Sequence, residues 1–360
     1  MLDSKNTSRL KSQNLNRLAA IDWLPAVFLV VAFLFLPAGS DSSTLNSLAI
    51  VFISIVLEAI PFMLMGSLVG GVIEAFLSRE RMTALLPKRG WQTVCVAAAA
   101  GILFPVCECA VVPVVRRLVG KGFPFAAAIG YLLGGPIVNP VVAASTALAY
   151  AFGWRMVALR LVGGYFLAVI IALVMGRLFQ NAPAIIIIEN GPVAASCEDL
   201  HHPHDAACRC CSPHAANAPV DWMDKAGAAF IHAKNDFLAV GHYLVIGAFI
   251  AALAQTVIER SLFMELANIP MISVLLMMSL AILLNLCSEA DAFIAASFQG
   301  MMPVSAQLAF LLTGPMLDLK LLLMYRSLFT KRAIVALAGM VAVMVFLFST
   351  GYQALDGMLP

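Results

Sequence analysis

Apolar residues in this chain neither alternate nor form narrow stripes. They run in long blocks, at about 24–38, 46–78, 92–115, 123–151, 154–178, 226–258, 272–298, 302–325 and 333–349. A helix rises 1.5 Å per residue, so about 20 residues cross the hydrocarbon core of a bilayer. The spacing predicts helices throughout, each able to cross a membrane, with the first block short. Proline interrupts several blocks, at Pro105, Pro113, Pro136, Pro303 and Pro315. Inside a helix proline removes a hydrogen bond, so these positions predict breaks.

Composition fixes the solvent. Hydrophobic residues make up 62% of 360 and charged residues 12%, with a mean hydropathy of +0.94. Such a chain is an integral membrane protein whose first partner is the lipid bilayer, not a soluble domain. The net charge of +2 does not mark a nucleic-acid partner, because the basic residues sit beside apolar blocks as orientation signals do. Lys5, Arg9, Lys11 and Arg17 precede the first block, which reads as a retained signal-anchor helix.

The blocks repeat. Leu-Leu-Gly-Gly-Pro-Ile-Val-Asn139 matches Leu-Leu-Thr-Gly-Pro-Met-Leu-Asp318 at an offset of 179 residues, and Cys107-Glu108-Cys109 falls opposite Cys287-Ser288-Glu289 with a one-residue gap. The stretch from Leu57 to Gly66 resembles that from Leu238 to Gly247. These matches divide the chain into 1–45, a tail with the first helix; 46–178, a first membrane repeat; 179–225, a Cys/His-rich loop; and 226–353, a second repeat.

Basic residues then set direction. Arg79, Arg81, Lys88 and Arg89 precede block 92–115, and Arg116, Arg117 and Lys121 follow it, so both of its ends prefer the cytoplasm. One crossing cannot satisfy that, whereas a re-entrant hairpin broken between Pro105 and Pro113 can. From 261 to 319 no Lys or Arg occurs, and Arg326, Lys331 and Arg332 follow, so the second repeat reads as upside down. The expected fold is an all-α polytopic membrane protein of two inverted repeats with broken or re-entrant helices, plus one extra N-terminal helix. Nine full crossings are the alternative. Inverted repeats with broken helices are a recurrent plan of secondary transporters, whose substrate sites lie at the breaks.

Chemistry concentrates at those breaks. Ionisable groups inside a membrane usually serve a pathway or a partner. Cys107 and Cys109 flank Glu108 at a proline-bracketed break, and thiolates select soft ions such as Cu(I), Zn(II) or trivalent arsenicals. No neighbour in sequence offers Glu108 a cation, which reads as a proton acceptor or metal ligand. Cys287, Glu289 and Asp291 form the counterpart in the second repeat. Asn139 and Asp318 follow Gly-x-Pro breaks, where capping and ligand roles are both open. Cys95 reads as a buried hydrophobe. Glu58 and His242, in matching helices, are proton-relay candidates.

Cys197, His201, His202, His204, Cys208, Cys210, Cys211 and His214 fall within one short loop, half of the chain's cysteines and four of its six histidines. Such tracts are a compositional mark of metal binding, and in the cytoplasm, where the hairpin topology places them, thiols stay reduced. A disulfide-bonded external loop is the structural alternative.

The stretch Pro105-Val-Cys107-Glu-Cys109-Ala-Val-Val-Pro113, the basic glycine-rich turn at 117–122 and Gly135-Pro136-Ile-Val-Asn139-Pro140 resemble the bacterial permease family that includes methylarsenite efflux permeases. With the Cys/His loop, the chain is most similar to its copper/zinc efflux branch. Many members carry Ser between the two cysteines, and Glu108 departs from that form, favouring a cation. The resemblance implies a bacterial inner-membrane exporter of Cu(I) or Zn(II), holding no permanent cofactor, fed by a cytosolic metal donor and not an enzyme. No P-loop is present, so coupling to an ion gradient is expected, with Glu108, Glu289 and Asp291 carrying protons. An arsenical permease, a membrane thiol oxidoreductase and a metal sensor are the other readings.

Overall fold

A computed structural model describes residues 42–76, 87, 90–103, 107–180, 222–257 and 270–356. The expected first helix, Pro105 and the whole Cys/His cluster at 197–214 lie outside the described residues.

The first half comprises α1 (Ser42–Phe76), α2 (Gly90–Ala99), α3 (Glu108–Gly120), α4 (Phe125–Ile137), α5 (Pro140–Ala149), α6 (Trp154–Ala158) and α7 (Gly164–Leu178). A π-helical turn, Leu159–Gly163, joins the last two into one rod. The second half comprises α8 (Trp222–Val257), α9 (Pro270–Leu284), α10 (Ser288–Ser297), α11 (Val304–Met316), α12 (Leu319–Met324) and α13 (Lys331–Asp356). The element order is the same in both halves. The residues capping α3, α4 and α5 are Cys107, Pro124 and Asn139, and those capping α10, α11 and α12 are Cys287, Pro303 and Asp318, all in extended conformation. Gly122 and Gly300 close equivalent turns at φ +93° and +80°, where a side chain is strained.

Among the described residues, six segments are long and apolar enough to cross a bilayer, including the broken pairs α4–α5 (Phe125–Ala149) and α11–α12 (Val304–Ser327). The helices of the two hairpin blocks are shorter. Gly90–Ile102 spans only about 20 Å at 1.5 Å per residue.

Glycine contacts give the directions. Val94, Ala98 and Gly101 lie in order against Gly130, Gly134 and Gly135, so α2 runs parallel to α4. Val111 lies against Gly135, and the tight turn at Lys121–Phe123 sets α3 antiparallel to α4. α2 therefore runs antiparallel to α3, and the two are the arms of a hairpin whose Gly101 lies level with Gly135, at the α4–α5 break. The break is narrower than the two prolines suggest, because Pro113 sits inside α3 and deprives only the Cys109 carbonyl of its i+4 donor.

The halves run in opposite senses. Along α1 and α8, Gly71 meets Ala229, Met63 meets Gly241, and the Phe52 and Phe249 rings meet edge to face at 6.0 Å. Equivalent first helices thus pack antiparallel, as inverted repeats require. The protein is an all-α polytopic membrane protein of the kind the apolar blocks imply.

Candidate functional site

Both hairpin tips end on a cysteine in extended conformation, and both point at the centre of the molecule. Cys107 (φ −75°, ψ 170°) starts α3, and Cys287 (φ −78°, ψ 156°) starts α10. Neither side chain caps its helix. Cys109, one turn position on, is buried and within hydrogen-bonding reach of Cys107. All three are free thiols. They line one narrow cleft together with Glu58, Glu108, Lys320 and the α1 side chains Ile55, Ala59 and Phe62.

Glu108 is fully buried, and its surroundings correct the reading of an unpartnered carboxylate. Lys320 Nζ donates to Oε1 at 3.3 Å, and Ser288 Oγ donates to Oε2 at 3.2 Å. Ser288 is the inverted-repeat counterpart of Glu108, so equivalent positions of the two tips touch across the pseudo-twofold axis. Lys320 also faces Asp318 Oδ2 at 3.5 Å. Its own backbone N–H donates to Asn285 Oδ1 at 3.2 Å, and Asn285 closes α9 in the left-handed region at φ +52°. The negative field expected of Cys107-Glu108-Cys109 is thus partly offset by an ammonium from the other half.

A second buried cation extends the network. Arg160, on the π turn, has no exposed surface; Nη1 donates to Thr146 Oγ1 at 2.7 Å and Nη2 to the Ser288 carbonyl at 2.6 Å. Hydrogen bonds therefore run from Arg160 through Ser288 and Glu108 to Lys320, joining four elements from both halves. π turns recur at functional sites because they re-aim one side chain.

The other expected residues fall into place as follows. Asn139 accepts from Val141 N at 2.9 Å and Asp318 from Leu321 N at 2.5 Å, so both cap helices at the breaks, and Asp318 also reaches Lys320. Glu58 lines the cleft. His242 does not; its Nδ1 lies 3.2 Å from the Leu238 carbonyl, and its ring lies against that of Tyr243 at a tilt of 40°. Glu289 is half-buried and Asp291 buried, and neither lines the cleft. The Asp291 carboxylate rests on Gly314, where any side chain would collide with it. Cys95 is half-buried, and its carbonyl accepts from Tyr165. Among the described residues, no three His, Cys, Asp or Glu side chains converge closely enough to hold a metal ion.

Sequence reasoning passed over Lys320, Arg160, Asn285 and Ser288. The signal for the first two was present, since Lys320 is the one cation of block 302–325 and Arg160 lies inside block 154–178, where charge is costly.

The chain is 38% identical over 310 residues to the UPF0718 protein YcgR of Bacillus subtilis (strain 168), covering 86% of this chain and 96% of the relative. It is 34% identical over 307 residues to a putative two-component membrane permease complex subunit of Streptococcus mutans serotype c, covering 85% and 95%. Over 119 residues, 33% of this chain and 34% of the relative, it is 21% identical to the UPF0718 protein YraQ of Escherichia coli (strain K12). No solved structure matches. A family described as predicted permease, ArsP_1, matches residues 44–353, which takes in both hairpins and both broken helices, and the chain belongs to that family.

Proposed function

We propose that this permease exports thiophilic cargo across the bacterial inner membrane, taking it up in the cleft lined by Cys107, Cys109 and Cys287, whose thiols would have to draw together around it. The observation that carries this reading is that three thiols from opposite hairpins line one cleft at the meeting point of the two tips. Soft ions prefer thiolate ligands, and Cu(I) is satisfied by two or three of them, whereas a closed Zn(II) site takes four ligands. Copper is therefore the first cargo and zinc the second. Lys320 favours a further reading, because a trivalent arsenical needs thiols but no net negative charge. The Cys/His segment at 197–214 would collect cytosolic metal, received from a donor, and raise its concentration at the entrance. An ion gradient would drive transport, with Glu58 at the cleft as relay.

The test is flux into inverted vesicles holding the purified protein, with copper(I), zinc and a trivalent methylarsenical compared side by side. Cys107→Ser with Cys109→Ser abolishes flux of the true cargo, since Ser is a poor ligand for a soft ion. Deletion of 197–214 raises the half-saturating concentration and leaves maximal flux. A double Ser variant that still transports overturns the site, and saturable arsenical flux without metal flux overturns the copper assignment.

A further inference from the structure

The inverted repeats are not packed symmetrically, and the asymmetry has one direction. α1 lies along α3, and α8 lies along α12. The inverted equivalents of these contacts are α8 with α10 and α1 with α5, and among the described residues neither of these pairs packs in this way. α5 and α10 pack on each other instead. The basic residues place α3 and α12 in the cytoplasmic half of the membrane and α5 and α10 in the outer half. The α1–α8 pair is thus docked on the cytoplasmic side and parted from the hairpin core on the outer side. The cleft lies at the boundary between the two sides: its α1 lining, Ile55, Glu58, Ala59 and Phe62, sits at the middle of that helix.

The docked side is closed tightly. A Cβ on Gly66 would collide with the Ala110 backbone, and Gly70 lies on Pro113 and the Arg117 stem. Beyond these, about 18 Å from Phe62 at 1.5 Å per residue, stands an ionic cluster. Arg117 grips the buried Asp236 of α8 through Nε and Nη2, the latter at 2.9 Å. It also reaches the His232 carbonyl at 3.4 Å and Glu74 of α1 at 3.9 Å. Lys121 Nζ donates to the carbonyls of Ile73 and Glu74, at 3.0 and 2.7 Å. One hairpin arm is thereby tied to both α1 and α8. The inverted equivalents of Arg117, Asp236 and Glu74 are Ser297, Ile55 and Gln255, Lys121 falls opposite Gln299 in the equivalent turn, and there is no charge among them.

We infer that Arg117–Asp236, supported by Glu74 and Lys121, is the latch of a cytoplasmic gate, and that the structure is the outward-facing state. Cargo loading requires the latch to part so that α1 and α8 leave α3 and α12 and dock on α5 and α10, the arrangement obtained by exchanging the repeats. Because the inverted equivalents of the latch residues carry no charge, the outward-facing state is the resting one. The inference rests on the transport reading above, but its test needs no cargo.

Full-length protein in inside-out vesicles is treated with a membrane-impermeant maleimide, and labelling of the Cys107/Cys109 peptide is followed by mass spectrometry. Wild type labels slowly from this side, while Cys287 labels from the opposite side. Asp236→Asn raises the cytoplasmic rate at least about tenfold, the population change produced by about 1.4 kcal/mol. Arg117→Lys, which keeps the charge but loses the two-pronged grip, gives a smaller rise. Arg117→Asp combined with Asp236→Arg returns the rate toward wild type. Unchanged cytoplasmic labelling in Asp236→Asn or Arg117→Lys, with Cys287 still labelled from outside, overturns the latch. Fast cytoplasmic labelling of wild type overturns the assigned state. Loss of copper flux in the Ser variants with no latch effect, or the reverse, separates the two proposals.

Discussion

Lys320 is the residue on which the centre of the site depends, and its removal should cost more than removal of Glu108. Lys320 is 3% exposed and Glu108 1%, so solvent screens neither. Lys320→Met leaves Glu108 and Asp318 both without a cation, and breaking a buried pair in this way costs about 3–5 kcal/mol. Glu108→Gln leaves Lys320 still facing Asp318 at 3.5 Å, and an amide can still accept from Ser288. Its cost is that of a weakened charge-assisted hydrogen bond, about 1–3 kcal/mol. The double variant Glu108→Gln with Lys320→Met should be less destabilised than the sum of the two, because each change removes part of the same interaction. The assay is unfolding of purified protein in one detergent by titration with a denaturing detergent, with all four proteins compared at one pH. If Lys320→Met is no less stable than Glu108→Gln, or if the two costs add fully, the ion pair does not hold the hairpin tips together and the geometry around Glu108 is misassigned.

Two further outcomes follow from the packing. Single cysteines placed beside Lys121 label only from the cytoplasm and those beside Gly300 only from outside, and labelling of both from one side refutes the inverted hairpins. Gly66→Ala pushes α1 off the Ala110 backbone and costs about 1–3 kcal/mol, whereas Gly339→Ala, with nothing within 4 Å of the added methyl, leaves the unfolding midpoint nearly unchanged.

The hairpins, the breaks and the inverted halves could be read along the chain because each rests on a local signal. Block length against bilayer thickness identifies a span, a proline marks where a helix loses a hydrogen bond, and basic residues at both ends of one block require it to return. Cys107 and Cys287 were visible for the same reason, since each lies at such a break. Which groups meet there is a different matter. Ser288 and Lys320 reach Glu108 from 180 and 212 residues away, and Arg160 reaches Ser288 across 128. Nothing in local spacing distinguishes a lone cation that pairs with that carboxylate from one that faces a lipid headgroup. Asn139 and Asp318 likewise could cap or ligate until the backbone N–H groups beside them were placed. Tertiary structure also decided which half of the membrane is closed: Glu74 and Asp236 are legible along α1 and α8, but only packing against α3 and α12 rather than α5 and α10 selects the side, since close contact between glycine and a neighbouring backbone depends on the fold and not on composition.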